Sequence, residues 1–267
     1  STFAGHIPEG YPSYYTEELL IERSDITKVT ETWWYQVIQE ANLNLVMNNS
    51  WSGSTMCHTG YNDKDCSQTS SFICRLRKLT EEGFFKENKI DKVFVFGGTN
   101  DFGHGDAPLG EFSDRTPYTF YGALHELCTS LINRYPESDI VFMTPLHRWN
   151  ECGGLGTWKP EGVVQHNLSE YARAINEVCA IYSIPVLDLF NKGDMPLNEP
   201  EFGKKYSTDG VHPNDAGHEI LADKLQKFLE NIFSKSIIFP YFIRFFSLLG
   251  TNFACAKLVC ATFFVMK

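Results

Sequence analysis

Two uninterrupted apolar runs constrain the fold of this chain more than any other feature. They are Val93–Phe96 and Ile140–Met143, and neither alternates with polar residues. Such runs are typical of parallel strands that helices bury on both faces. Segments with helical spacing lie between the strand-like ones, at about 32–40, 71–79, 118–135, 163–182 and 215–232. Further strand-like runs at 43–47 and 184–189 complete the alternation, which predicts a parallel α/β sheet with helices on both faces.

The loops after the predicted strands hold the polar residues of interest. In open parallel sheets, ligands bind outside the carboxyl ends of the strands. The loops with Gly53 and Asn100 and the long loop 146–162 all emerge at that edge, and Asp209 and His212 can reach it from the last loop. We therefore expect a binding or catalytic site there.

Asp209 and His212 lie three residues apart in a segment punctuated by Gly210 and Pro213. In such a turn the carboxylate can fold back onto the imidazole. An Asp that accepts a hydrogen bond from one ring nitrogen fixes the tautomer and leaves the other nitrogen as a base. The alternative is a surface turn whose Asp and His only cap the helix that follows.

The segment Gly98–Asp101 ends the first apolar run. Glycine lets the backbone turn sharply, and the amide of Asn100 can then donate to a developing oxyanion. The backbone N–H of Gly53 is a second candidate donor to the same oxyanion. The alternative in both places is a simple turn that satisfies only its own backbone.

Composition excludes several classes of partner. The formal net charge is −10, from 23 Lys and Arg against 33 Asp and Glu, and no basic cluster stands out. Nucleic acid and anionic membrane surfaces are therefore not expected as partners. The segment 103–105 lacks the third glycine of a dinucleotide fingerprint, and there is no phosphate-loop motif and no G-x-S-x-G motif. We expect no cofactor.

The eight cysteines are irregularly spaced, with no C-x-x-C pair, so we expect no metal site. Cys128 and Cys179 fall in helical patterns and are predicted to be buried thiols. Cys57 and Cys66 flank a loop and can pair if the compartment is oxidising. Both a cytoplasmic and a secreted location therefore stay open.

Taken together, these motifs resemble the SGNH (GDSL-type) esterase/acylhydrolase family over residues 1–233. Gly53 matches the family's second block, Gly98–Asp101 its Gly-x-Asn-Asp block, and the segment 209–212 its Asp-x-x-His block. The resemblance implies a three-layer α/β/α, flavodoxin-like, doubly wound sheet. It also implies that His212 is the base, Asp209 its orienting partner, and Gly53 and Asn100 oxyanion donors.

The first block of the family, Gly-Asp-Ser with the nucleophile, is absent from the sequence. The start Ser1-Thr2-Phe3 looks like the residues just after that block, which puts Ser1 itself outside the nucleophile position. We therefore expect a chain that is truncated before Ser1 and lacks both the nucleophile and the first strand of the fold. As such a fragment it is expected to be an inactive ester hydrolase.

The loop 146–162 suggests the substrate. Aromatic and arginine side chains such as Trp149 and Arg148 suit small-molecule or glycan esters, because rings stack on sugar faces while donors hold hydroxyls. We expect short-chain acyl or acetyl esters, with carbohydrate as one candidate; alternatively, Trp149 covers the core. A different class of function is also open, a non-catalytic carbohydrate- or ligand-binding relative that lacks the nucleophile.

Residues 234–267 form an atypical apolar tail after the hydrolase-like domain 1–233. Pro240 and Arg244 interrupt its apolar run, which is too short to span a bilayer. The tail is interpreted as a membrane-surface segment or as a loosely packed appendage. A third hypothesis is that the strand-like run 258–265 fills the vacant central position of the sheet.

Overall fold

The computed structural model describes residues 25–26, 28–51, 53–60, 63–103, 107–152 and 166–233, and the backbone of 257–260. The strands in chain order are β1 (Asn44–Asn48), β2 (Lys92–Phe96), β3 (Asp139–Met143), β4 (Val186–Leu187) and β5 (Lys257–Cys260). They form one sheet in the order β1-β5-β2-β3-β4, and every neighbouring pair is parallel. The described residues thus confirm the predicted parallel sheet.

The helices alternate with the strands. They are α1 (Trp33–Glu40), α2 (Phe72–Glu81), α3 (Phe84–Glu87), α4 (Thr99–Gly103), α5 (Phe120–Arg134), α6 (Leu168–Ile181), α7 (Leu189–Lys192), α8 (Pro200–Gly203) and α9 (Asp215–Phe233). A 3-10 turn at Val29–Glu31 precedes α1. Ser71 begins α2 by accepting a hydrogen bond from the backbone N–H of Cys74, and Thr119 begins α5 in the same way.

Successive residues of the central strands face opposite helical layers. Val93 and Val95 of β2 pack in one core with residues of α2, α5 and α6. Phe94 and Phe96, the alternate residues, pack in a second core with residues of α1 and α9. Because side chains alternate along a strand, an uninterrupted apolar run supplies both cores at once. The result is the predicted α/β/α arrangement of three layers.

The C-terminal strand β5 lies between β1 and β2. Its backbone pairs with β1 from Asn44↔Lys257 to Asn48↔Cys260, and with β2 at Lys92↔Leu258 and Val93↔Val259. This position is the one that the third hypothesis for the tail assigned to the run 258–265. The other residues of 234–267 lie outside the described part of the chain, as does the predicted start of the domain.

Several boundaries differ from the predictions. The strand predicted over 184–189 is reduced to β4, because the side chain of Asp188 accepts the N–H of Asn191 and begins α7. The polar turn predicted after β2 is the short helix α4.

Cys57 and Cys66, proposed as a pair in an oxidising compartment, are both buried free thiols, whereas Cys128 and Cys179 are buried in helices as predicted. In the described part of the chain, no helix is long and apolar enough to cross a membrane.

Candidate active site

Asp209 and His212 are joined by a closed turn that leads into α9. The carboxylate accepts the backbone N–H groups of Val211 at 2.9 Å and His212 at 2.7 Å through Oδ1, while Oδ2 binds Nδ1 of the His212 ring. Gly210 sits between them with φ of +72°, a left-handed conformation that a residue with a Cβ rarely adopts. The turn therefore holds the carboxylate against the imidazole.

This contact sets the chemistry of the imidazole. A carboxylate on Nδ1 keeps the proton on that nitrogen, so Nε2 is left unprotonated and able to accept a proton. Burial alone would raise the pKa of Asp209, but the hydrogen bonds from His212 and the backbone outweigh burial and lower it. The carboxylate is thus ionised when it orients the ring.

Asn100 lies in α4, directly after β2, and is buried. Its Nδ2 donates to the carbonyl oxygen of Ser54 at 3.0 Å. An amide nitrogen carries two hydrogens, so this bond orients the group and leaves the second N–H as a donor. The Asn100 side chain is therefore fixed beside the loop that contains Gly53.

Gly53 precedes Ser54 and adopts φ of +73°. Its N–H donates to no atom of the described residues, and there is open space around its Cα. A backbone N–H that donates to none of the described residues, together with an oriented amide N–H, is the arrangement that an oxyanion site requires.

Arg148 and Trp149 connect the two halves of the site. Nη1 of Arg148 donates to the carbonyl oxygen and hydroxyl of Thr99, at 3.2 and 3.3 Å, next to Asn100. The backbone N–H of Trp149 donates to the carbonyl oxygen of Gly210 at 3.0 Å, next to Asp209. The Trp149 ring also packs over Gly210, yet 58% of the residue is exposed. An unbroken chain of contacts thus joins Gly53, Asn100, Arg148, Trp149 and the Asp209–His212 turn.

The Asp209 carboxylate favours the charged form of the Arg148 side chain. Burial lowers the pKa of Arg148 to about 10, while Asp209 acts in the opposite direction. With a pKa of that size the guanidinium stays charged at neutral pH. Its plane also lies over the Phe102 ring, 5.7 Å from the centroid, and Nε donates to Asn150.

Two buried ionisable residues to which the sequence patterns gave no role hold the loop after β1. Asp101 accepts the backbone N–H groups of Met56 and Cys57, each at 3.0 Å. Burial raises the pKa of Asp101 to about 6, although those N–H groups act against the shift. Arg75 of α2 donates to the same loop at Asn49 and to Ser54. The sequence did hold a signal for the burial of Arg75: it lies three residues after Phe72, on the apolar face of the helix.

The nucleophile is the component that the described residues do not supply. No hydroxyl in that part of the chain is hydrogen-bonded to Nε2 of His212, and Ser1 lies outside it. Among the described residues there is also no cluster of three His, Cys, Asp or Glu side chains able to hold a metal ion.

Comparisons with known proteins agree with the fold and the motifs. The sequence model described as GDSL-like Lipase/Acylhydrolase matches residues 1–151. A solved protein from Lactobacillus plantarum is 30% identical, with a TM-score of 0.62, and the match covers 75% of this chain and 88% of that one. A solved protein from Bacteroides uniformis, described as a GDSL-like lipase, is 30% identical, with a TM-score of 0.60 and coverage of 86% and 91%. The search of curated proteins gives no match.

More distant structures share the fold alone. A carbohydrate acetylesterase from Sinorhizobium meliloti is 11% identical, with a TM-score of 0.52 and coverage of 76% of this chain and 86% of that one.

The chain belongs to the GDSL-like lipase/acylhydrolase family. By that family resemblance it is a carboxylic-ester hydrolase, and the resemblance first seen in the sequence motifs is confirmed.

Proposed function

We propose that the site belongs to a serine-dependent ester hydrolase in which His212 is the base, Asp209 its orienting partner, and Gly53 and Asn100 the oxyanion donors. The observation that carries this proposal is the bond between Nδ1 of His212 and the Asp209 carboxylate. It directs Nε2 toward proton transfer, and Nε2 is the atom that a general base in acyl transfer uses.

The reaction divides into two steps. His212 takes the proton of the serine hydroxyl as the oxygen attacks the ester carbonyl, and the alcohol leaves with that proton to give an acyl-enzyme. Water then attacks the acyl group by the same route and releases the acid. In both steps negative charge develops on the carbonyl oxygen, where Gly53 N–H and Asn100 Nδ2 are proposed to donate.

The proposed substrates are short-chain acyl or acetyl esters, including those of carbohydrates. Trp149 supports this choice, because its exposed ring lies beside the Asp209–His212 turn. An exposed ring at a catalytic edge can stack on the apolar face of a sugar. Arg148 supplies a partly buried cation at the same edge and can hold polar groups of the leaving alcohol.

The test is hydrolysis of p-nitrophenyl acetate by wild type and by His212→Ala, each carrying a Gly-Asp-Ser block before Ser1, because the sequence itself lacks that block. We expect kcat to fall by about 10²- to 10⁴-fold, the contribution of a general base. His166→Ala is the matched control, because His166 is a partly exposed histidine paired with Glu170 at the start of α6. Equal hydrolysis by wild type and His212→Ala would show that His212 is not the base.

A second candidate function follows from the lack of a described hydroxyl on Nε2. It is a non-catalytic relative that binds carbohydrate or another ligand at the same edge. A serine-directed phosphonate probe separates the two candidates, and mapping of the labelled peptide identifies the nucleophile. No labelling, together with quenching of Trp149 fluorescence by acetylated sugars, would favour the binding protein.

A further inference from the structure

Arg75 is a buried cation whose hydrogen bonds converge on the loop after β1. Only 4% of the residue is exposed, and burial lowers its pKa well below the ordinary value. Nη1 donates to the carbonyl oxygen of Asn49, and Nη2 donates to Oγ of Ser54 at 3.2 Å. Nε donates to the carbonyl oxygen of Ser70 at 3.0 Å, which fixes the guanidinium at the start of α2.

Aromatic rings add to the hold on the guanidinium. Its carbon lies 5.2 Å from the centroid of the Phe72 ring and 6.0 Å from that of Trp51, which belongs to the same loop. Burial of a charged group costs free energy unless its hydrogen bonds are satisfied. The hydrogen bonds that satisfy the buried guanidinium of Arg75 include one to Asn49 and one to Ser54, the two ends of the segment 49–54.

Ser54 links Arg75 to both proposed oxyanion donors. While Oγ of Ser54 accepts from Arg75, its carbonyl oxygen accepts from Asn100 Nδ2 at 3.0 Å. Gly53 is the preceding residue in the chain, so its N–H moves with Ser54. The Ser54 hydroxyl also donates to the carbonyl oxygen of Trp51 at 2.9 Å, which closes the loop on itself. A displacement of Ser54 therefore displaces both donors.

We propose that Arg75 is a positioning residue for the oxyanion site and acts by holding the loop 49–54. This inference rests on the proposed roles of Gly53 and Asn100. The planar guanidinium donates in several fixed directions at once, toward Asn49, Ser54 and Ser70, whereas an ammonium group is a compact point charge. Lysine at this position keeps the charge and loses that geometry.

The test is Arg75→Lys, measured in two ways on the full chain carrying a Gly-Asp-Ser block before Ser1. Because an oxyanion forms only in the transition state, kcat should fall while KM for p-nitrophenyl acetate stays within about twofold. We expect a loss of about 10- to 100-fold, below the 10²- to 10³-fold effect of deleting an oxyanion donor outright. Amide hydrogen exchange of residues 49–57 should become at least about tenfold faster, while β2 and β3 keep their protection.

Arg77→Lys is the matched control. Arg77 lies on the same helix, its side chain is 37% exposed, and it bonds to Ser67 and Gln68 instead of the loop 49–54. We expect neither kcat nor the exchange of residues 49–57 to change in this variant. If Arg75→Lys loses protection throughout the chain, Ser54→Ala replaces it, because that change removes the link and leaves the guanidinium in place.

The outcomes separate this proposal from the proposed function. Unchanged exchange of residues 49–57 in both Arg75→Lys and Ser54→Ala would overturn the role of Arg75. Faster exchange with unchanged kcat in an active enzyme would overturn it as well. A wild-type chain that carries the Gly-Asp-Ser block and still hydrolyses no ester would contradict the proposed function alone, and the exchange measurement would still decide whether Arg75 holds the loop.

Discussion

Asp101 offers a sharp test of how this site is built, because its carboxyl group is fully buried. It has no exposed surface, and it accepts two backbone N–H groups from the loop after β1. Replacement by asparagine keeps the shape of the side chain and removes the ionisable group. The two N–H groups bind different carboxyl oxygens, Met56 at Oδ2 and Cys57 at Oδ1, so asparagine keeps an acceptor for one of them and places an NH2 group against the other.

The magnitude follows from the shift in pKa. Burial raises the pKa of Asp101 from 3.8 to about 6. One unit corresponds to about 1.4 kcal/mol, so ionisation costs the folded protein about 3 kcal/mol relative to the unfolded chain. A raised carboxyl pKa stabilises the fold fully below about pH 4, and this contribution is lost as the pH rises through about 6. Asp101→Asn has no such dependence.

The free energy of unfolding of both proteins should therefore be measured by urea denaturation at about pH 4 and about pH 7.5. We expect Asp101→Asn to be the less stable protein at the lower pH, because one backbone N–H of the loop loses its acceptor. Between the lower and the higher pH, the difference in the free energy of unfolding should move by up to about 3 kcal/mol in favour of Asp101→Asn. Asp139→Asn is the control, because Asp139 is an exposed residue paired with Lys92, and its effect should stay within about 1 kcal/mol.

An opposite result would refute this reasoning. If the stability of Asp101→Asn relative to wild type falls as the pH rises, the two N–H bonds stabilise the carboxylate more than burial destabilises it. A stability difference that does not change with pH would show that Asp101 does not titrate in this range. In either case the loop is held by an ordinary buried carboxylate with a low pKa.

Two further predictions concern the opposite half of the site. Trp149→Ala should raise KM for acetylated sugars about 2- to 10-fold while KM for p-nitrophenyl acetate stays unchanged, and steady-state kinetics with both substrates check this. Gly210→Ala should destabilise the protein by about 1–2 kcal/mol in urea denaturation, because of its φ of +72°. Gly83→Ala is the control, since Gly83 has φ of +78° and open space around it, whereas a Cβ on Gly210 would meet Trp149 at 3.0 Å. Equal losses of stability in the two variants would show that the contact with the Trp149 ring does not contribute to the loss in Gly210→Ala.

The sequence predicted best those elements whose cause is local. β2 and β3 end where the apolar runs end and begin one residue earlier, at Lys92 and Asp139, because only the part of a strand that is buried on both faces must be apolar. β4 was predicted too long, because Ile184–Leu189 reads as one apolar run although the Asp188 side chain begins a helix inside it. Apolar character alone does not reveal such a cap.

The contacts that assemble the site depend on residues far apart in the chain, which local patterns do not show. Asp101 binds Met56 and Cys57 across more than forty positions, and Arg148 binds Thr99 across 49. The motifs did predict which edge of the sheet carries Gly53, Asn100 and the last turn, because parallel strands end at one edge. They could not predict which charged residues lie beneath the loops.

Arg75 and Asp101 show why burial of charge beneath this loop is consistent with the proposed mechanism. Arg75 of α2 and Asp101 of α4 are both hydrogen-bonded to the segment 49–57. Burial lowers the pKa of Arg75 and raises the pKa of Asp101, so it favours the neutral form of each side chain. A fold selected for stability alone would replace them with apolar residues. Oxyanion donors, however, must be in position before negative charge develops on the substrate. Hydrogen bonds that fix the loop keep the donors in that position. As the pH rises through about 6, Asp101→Asn should therefore gain stability relative to wild type, yet its kcat should be lower, because it keeps an acceptor for only one N–H of the loop. A variant that keeps the full kcat would contradict the proposed connection between loop order and catalysis.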